Sequence, residues 1–486
     1  MTQTRAFALA PTAWVTIQTV SQQLVAIAIL AVQAPILGPR AFGLFALVMV
    51  FIGFCEFVVG SAATEALISI RRIEERHFHA MTGITVLISL LLGAAAFAAA
   101  PSLARIFGDA DLAPVLRWMA VLPVLSAFSA APLAATKREM QFRPTALRGI
   151  AGTIAGGLAG LTLALLGAGV WALIWQALVQ RAVAVVVLWR LVPLRFGLSL
   201  SWRHLGEMRQ FAATVAVSRV MNWASAQLPR LILGLFLGTT ELGLFALAAR
   251  LNDIVSQIAL EPRATVARVD LRRWAADVEG LDAAARRLFM QMSAICFPLC
   301  IGGAVIVPTL FHTWLNPHWF GAIVPAQLML LMGVPSVTFY CASALFLALN
   351  HQASEAFVST VQTVTAAVVT LISAPLGLTV ATAAISARPL ALLPLPVALL
   401  NHRCGISARA MLLAQRPALL AAALMGVAVW LLGALLESRL SGIVELLALI
   451  VAGAVIYLVL LMALLPDLVD QFLRRTPVTP VARMPM

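Results

Sequence analysis

Leu37-Gly38-Pro39-Arg40-Ala41-Phe42-Gly43-Leu44-Phe45-Ala46-Leu47 returns 200 residues later as Leu237-Gly238-Thr239-Thr240-Glu241-Leu242-Gly243-Leu244-Phe245-Ala246-Leu247, identical at seven of eleven positions. A long apolar run precedes and follows each copy, so each reads as a tight glycine-containing turn between two hydrophobic helices. Short matches arise by chance in a chain rich in Leu, Ala and Gly. The matching hydropathy on both sides is what makes this pair a repeat. It predicts two related helical lobes, each opening with the same hairpin.

The composition fixes the solvent. Of 486 residues, 62% are hydrophobic and only 11% charged, with a mean hydropathy of +0.98; a soluble domain carries about 25% charged residues. The apolar runs are continuous and about twenty residues long, which predicts bilayer-spanning helices rather than a barrel. About fourteen spans fit, at 12–36, 42–69, 80–104, 115–136, 149–167, 169–189, 212–236, 242–261, 288–309, 323–349, 355–374, 378–400, 418–436 and 442–465. The predicted fold is an all-α integral membrane protein. A six-helix lobe (1–190) leads through a basic linker (191–211) to a second six-helix lobe (212–402). Two further helices and a tail (403–486) complete it. No cleavable signal peptide is expected, because the first apolar run is long enough to span and lacks a convincing cleavage site.

The net charge of +13 suggests nucleic acid until its distribution is examined. About 24 Arg and Lys fall in one alternating set of loops and at both termini. The other set holds only Arg40, Arg105, Arg117 and Arg439. This asymmetry predicts cytoplasmic N- and C-termini and excludes a nucleic-acid partner. The segments 190–211 and 263–287 mix arginines with apolar positions and read as amphipathic helices on the anionic inner leaflet. The loop Phe311–Phe320 is aromatic, which suits an interfacial belt, with sugar stacking as the alternative. Pro389, Pro394 and Pro396 should kink or break the twelfth span.

Enzyme chemistry finds no support. There is no extramembrane domain large enough to enclose a reaction and no phosphate-binding Gly-x-x-x-x-Gly-Lys loop. Glu56 and Glu65 point about 180° apart on one helix. Cys296 and Cys300 share a helix face without nearby His or carboxylate, and read as small packing residues rather than a metal site. Neither cofactor nor metal is expected.

The informative residues are charges inside spans, each of which costs about 2.5–3.5 kcal/mol at a helix centre. The seventh span holds Arg219, Asn222, Gln227 and Arg230, with Arg219 and Arg230 about 20° apart and roughly 16 Å apart along the axis. The eighth holds Arg250, Asn252, Asp253 and Gln257, with Asp253 one turn from Arg250. One reading pairs Arg250 with Asp253 and lets Arg219 snorkel. The other is a basic, water-filled cavity for a polyanion. The first two spans carry Thr16, Gln18, Thr19, Gln22, Gln23 and Glu56, which are polar but not cationic.

Two further stretches carry a family resemblance. Arg138-Glu139-Met140-Gln141-Phe142-Arg143 and Gly167-Ala168-Gly169-Val170-Trp171-Ala172-Leu173 resemble a basic loop and a GxGxWAL turn of the bacterial polysaccharide flippases. With the repeated hairpin and fourteen spans, the chain resembles O-antigen and exopolysaccharide flippases (Wzx-like) of the multidrug/oligosaccharidyl-lipid/polysaccharide exporter superfamily. The resemblance implies an inner-membrane transporter that passes undecaprenyl-diphosphate-linked oligosaccharides to the periplasmic leaflet by alternating access. It implies a cationic cavity lined by the first, second, seventh and eighth spans. Arg219, Arg230 and Arg250 would bind the diphosphate, with Gln18, Gln22, Asn222, Gln227 and Gln257 as polar lining and Asp253 and Glu56 as ion-coupling candidates. The partners implied are the lipid-linked oligosaccharide, membrane lipids and, beyond them, polysaccharide polymerase and export machinery, around a monomer. A lipid-linked peptidoglycan precursor flippase and a multidrug or cation antiporter of the same superfamily are the alternatives, the latter expected to carry acidic cavity residues.

Overall fold

The computed structural model describes residues 11–69, 75–139, 141–192, 197, 202–274, 278–436 and 442–464. Among them every regular element is helical. In chain order these are α1 (Pro11–Ser69), α2 (Glu75–Phe107), α3 (Leu112–Met119), α4 (Val121–Ala127), α5 (Ala130–Arg138), α6 (Phe142–Leu165), α7 (Val170–Leu191) and α8 (Trp202–Ala259). Then follow α9 (Glu261–Arg273), α10 (Val278–Trp314), α11 (Ile323–Ala348), α12 (Gln352–Ser373), α13 (Leu378–Leu392), α14 (Pro394–Cys404), α15 (Ala408–Ala414), α16 (Arg416–Leu436) and α17 (Ile443–Leu464).

The repeated stretch does repeat in three dimensions. Gly38 in α1 has φ 72° and ψ 167°, and Gly238 in α8 has φ 80° and ψ 179°. This combination is open to glycine and closed to other L-residues, because a Cβ would collide with the backbone. Each repeat therefore joins its two flanking helical segments through one glycine rather than through a loop. Twelve helical stretches among the described residues are long and apolar enough to cross a membrane, and two of them, Gln18–Val58 and Gln227–Ala259, run through the glycine joints. Elsewhere the proline expectation holds: α13 stops at Leu392 and α14 begins at Pro394.

The chain forms two compact units. The first comprises Met1–Leu247 with Leu315–Gly321 and Gln362–Ala381. Its organising helix is α6, whose glycines let two neighbours approach closely. A Cβ on Gly152 would lie 2.7 Å from the Gln180 carbonyl oxygen of α7, and one on Gly156 would lie 2.6 Å from that of Gln176. On the α1 side, a Cβ on Gly149 would lie 2.6 Å from the Gln22 amide nitrogen, and one on Gly157 2.0 Å from Ile29. Small residues at four-residue spacing make such backbone approach possible where lipid offers no hydrophobic drive for association. The α6–α7 turn itself uses Gly167 and Gly169, both at positive φ.

The second unit comprises Ala248–Trp314, Ala322–Val361 and Thr382–Met486. Its core centres on α10 and α11, where Phe289, Met292, Cys296, Phe297, Cys300, Cys341 and Phe346 are buried together. The Cys296 and Cys300 sulfurs lie 3.5 Å apart, unbonded, and Cys296 donates to the Gly333 carbonyl, consistent with packing thiols. Tyr457 of α17 donates to the Ala294 carbonyl at 2.6 Å. Helix α9, expected on the leaflet surface, instead turns Ala264, Ala267 and Leu271 into this core. Its three- and four-residue spacing gives an apolar stripe, and protein covers that stripe. Burial pushes the Arg263 guanidinium on the same helix below its ordinary range. The companion stretch 193–196 and 198–201, and the side chains of 202–222, lie outside the described residues.

Candidate functional site

The close packing of α6 brings charged side chains together inside the first unit. Glu56 of α1 meets Arg181 of α7, whose Nη2 lies 2.8 Å from Glu56 Oε1 and 3.0 Å from Oε2. Ser126 of α4 donates its hydroxyl proton to Glu56 Oε1. Arg148 of α6 stands close enough to Arg181 to repel it electrostatically. Its buried Nε finds no hydrogen-bond partner among the described residues. Three polar groups sit alongside: Gln22 and Gln180 both donate to Thr153 Oγ1, at 3.3 and 3.4 Å, and Thr153 donates back to the Gly149 carbonyl. Farther along, Gln33 donates to Gln176 Oε1 at 2.7 Å.

Glu56 thus pairs with Arg181, and Arg148 stands beside that pair without sharing its carboxylate among the described residues. The expectation that the first two spans are polar but not cationic concerns those spans alone; the interior cations of this unit, Arg148 and Arg181, stand on α6 and α7. Arg148 lies within the span Arg143–Leu165 and not in the preceding basic loop. Arg181 sits in mid-span, and an arginine at that depth was the available signal in the sequence.

A second polar assembly lies at the end of the unit where the repeats meet. Arg40 Nη2 bridges Asp109 Oδ1 at 2.9 Å and Asp111 Oδ2 at 2.8 Å. Thr239, from the second copy of the repeat, donates to Asp109 Oδ2 at 2.8 Å. Asp109 is 7% exposed, against 59% for Arg40, so the carboxylate is the enclosed partner and its charge is met on both oxygens. The two glycines of the repeat pack beside this network. A Cβ on Gly43 would lie 1.7 Å from the Thr239 carbonyl oxygen, and one on Gly243 1.8 Å from that of Pro39. Residues 315–321 close over the same end: the Trp319 indole donates to the Ala34 carbonyl at 2.8 Å, and Asn316 donates to that of Pro35. Trp319 is fully buried, edge-on to Phe42 at 5.4 Å. Neither a membrane belt nor a sugar-stacking platform describes that residue, because its ring is enclosed by protein.

The predicted cavity residues distribute as follows. Gln18 and Gln22 place their amides against Gly149. Gln227 accepts a hydrogen bond from Arg230 at 3.2 Å. The side chains of Arg219 and Asn222 lie outside the described residues. In the second unit, Arg250, Asp253 and Gln257 are partly buried and each has an interaction partner. Asp253 and Glu261 both lie close enough to Tyr340 to act on it electrostatically. Among the described residues no cluster of His, Cys, Asp and Glu could hold a metal ion.

Comparison with known proteins bears on this geometry. The sequence matches the family described as polysaccharide biosynthesis protein over residues 32–324. It is 28% identical over 230 residues to the succinoglycan biosynthesis transport protein ExoT of Rhizobium meliloti (strain 1021). That alignment covers 47% of this chain and 46% of the relative, so the match spans about half the length of the curated protein. Among solved structures, the fold is similar to lipid II flippase MurJ in an inward closed conformation, with a TM-score of 0.77 at 12% identity, covering 93% of this chain and 99% of that one. It is also similar to an inward-facing multidrug resistance MATE family transporter of the MOP superfamily, with a TM-score of 0.57 at 14% identity and 86% and 99% coverage. At these identities the structural likeness is one of fold.

Proposed function

Because the chain belongs to the polysaccharide biosynthesis protein family and is a membrane transporter with the fold of the multidrug/oligosaccharidyl-lipid/polysaccharide superfamily, we propose that it flips undecaprenyl-diphosphate-linked oligosaccharides from the cytoplasmic to the periplasmic leaflet. The observation that carries this reading is the family match across residues 32–324, which encloses Arg219, Arg230 and Arg250. In the proposal these arginines bind the diphosphate in a cationic cavity. Gln18, Gln22, Asn222, Gln227 and Gln257 form the polar surroundings of the sugars. Asp253 and Glu56 are the carboxylates through which an ion gradient acts.

The proposed mechanism is alternating access between the lobes 1–190 and 212–402, with both termini cytoplasmic. The assembly of Arg40, Asp109, Thr239, Gly43 and Gly243 is then the periplasmic gate in its shut position. The physical demand is that a diphosphate crosses about 30 Å of hydrocarbon, where only fixed positive charge replaces its lost hydration.

The test is reconstitution of the full chain in liposomes with a labelled lipid-linked oligosaccharide in one leaflet. Protein-dependent appearance of the label in the opposite leaflet is the expected result. Translocation of lipid-linked peptidoglycan precursor alone would install that alternative, and cation-coupled drug efflux without lipid movement would overturn the reading.

A further inference from the structure

Among the described residues, the interior of the N-terminal unit holds more positive charge than carboxylates meet. We propose that Arg148 and Arg181 form a second anion-binding site, specific for a phosphate or diphosphate group, on the α6–α7 hairpin and independent of Arg219, Arg230 and Arg250.

The helix register places the two guanidinium groups in sequence. Gly152 packs against the Gln180 carbonyl, so Arg181 stands level with Gly152. Arg148, one turn back along α6, is about 6 Å from that level. Among the described residues Arg181 is the one cation that Glu56 meets, with both oxygens on the same Nη2 and one of them also accepting from Ser126. Arg148 repels Arg181 and keeps a buried Nε without a partner among the described residues. Two like charges this close inside a membrane protein are unfavourable unless an anion joins them. A guanidinium answers best to a tetrahedral oxyanion, which accepts hydrogen bonds from several N–H groups at once.

The site is also open to water. Arg181 keeps 35% of its side-chain surface exposed and Glu56 17%. On α7 the strongly exposed apolar residues Trp175 and Val186 project about 20° from one another, and Arg181 projects about 120–140° away from them. Those apolar side chains mark the lipid-facing side of α7, and the exposed guanidinium points away from it. Glu56 occupies Arg181 when the site is empty and is the group that an incoming anion competes with.

The site rests on these residues alone, while its use for a lipid-linked diphosphate rests on the flippase reading. The test measures inorganic diphosphate binding by calorimetry to the full chain in neutral-lipid nanodiscs, in the wild type and in an R219Q/R230Q/R250Q background. In that background diphosphate should still bind, R148Q should weaken binding about tenfold, and R148K should recover part of it. E56Q should tighten binding, since it removes the competing carboxylate. A merely structural Glu56 would give no such gain. Unchanged affinity in R148Q, or weaker binding in E56Q, overturns the site. Repetition with phosphatidylglycerol in the nanodisc distinguishes the source of the phosphate: a lipid headgroup occupant blocks diphosphate, and a substrate site does not. Should the triple variant bind as tightly as the wild type while R148Q loses affinity, the second site stands and the assignment of the three other arginines fails.

Discussion

Gly43 and Gly243 meet backbone to backbone: a Cβ on Gly43 would lie 2.7 Å from the Gly243 amide nitrogen, and one on Gly243 would lie 3.0 Å from that of Gly43. The contact is reciprocal, each glycine also facing the carbonyl four residues before the other, Thr239 for Gly43 and Pro39 for Gly243. Such mutual exchange is what an internal two-fold repeat produces when its two copies are apposed.

Replacing either glycine by leucine should therefore separate the two backbones, because the clash is with main-chain oxygen and no side chain can rotate aside. Both G43L and G243L should lower thermal stability in detergent and reduce transport. Full expression and full transport in both variants would mean that the repeat is only a compositional echo.

Beside this contact, Arg40 and Asp109 should hold the two repeats together with Thr239. The pair itself is worth no more than about 1 kcal/mol, since Arg40 is largely exposed. Asp109 is enclosed and serves both Arg40 and Thr239, so D109A should matter more than R40Q. A cysteine at Thr239, in an otherwise cysteine-free chain, should react slowly with a thiol reagent and faster in D109A. Equal rates with and without Asp109 would show that the network does not hold this end shut.

The legibility of these features divides on locality. The all-helical membrane fold, the repeat and the break between α13 and α14 rest on patterns within a few residues, namely apolar run length, Gly at a fixed place and Pro clusters. The sequence reads each repeat as a tight glycine-containing turn; that the turn is one non-helical residue is not legible, because hydropathy does not distinguish one such residue from several. Arg148 falls just outside the span expected at 149–167 but inside the helical stretch Arg143–Leu165, as the basic charge continues without a break into the helix. The Glu56–Arg181 pair joins residues 125 apart in the chain, and only the Gly152, Gly156 and Gly160 spacing hints that α6 could bring those helices near. Trp319 sits in a stretch with Trp314, His312 and His318, and composition alone does not tell an enclosed indole from an interfacial one.

Orientation can be checked directly. Gly108 and Thr313, each at the end of a helix, should label with an impermeant thiol reagent from the periplasmic side when changed to cysteine. Positions near Arg143 and Arg272 should not. The reverse pattern at either pair would invert the topology and the direction of transport with it.

Asp253 decides between coupling and structure in the second unit. A carboxylate close to an arginine favours its ionised form, which suits a permanent counter-ion; a coupling carboxylate must instead change charge during the cycle. D253N should flatten the dependence of transport on pH and on the ion gradient. If that dependence survives intact, Asp253 neutralises its surroundings and does no more.

Arg219, Arg230 and Arg250 carry the central prediction. A guanidinium keeps its charge when dehydrated and offers a planar fork to two phosphate oxygens, whereas an ammonium is a point donor that loses its proton more readily in a low-dielectric site. The chain contains one lysine, Lys137, among its 33 basic residues, so residue usage alone does not single out these three, and function has to be measured. Loss of one bidentate contact to a charged group costs about 1.5–3 kcal/mol, or roughly ten- to a hundredfold in binding. Each Arg→Ala change should therefore cut translocation by at least tenfold while membrane insertion and yield stay at the wild-type level. Each Arg→Lys change should restore only part, because charge returns without the fork. The measurement is initial rate of lipid-linked oligosaccharide translocation, normalised to inserted protein, together with complementation of a deletion strain at native expression. Complementation by all three alanine variants would leave the arginines as structural residues and remove the cationic-cavity mechanism.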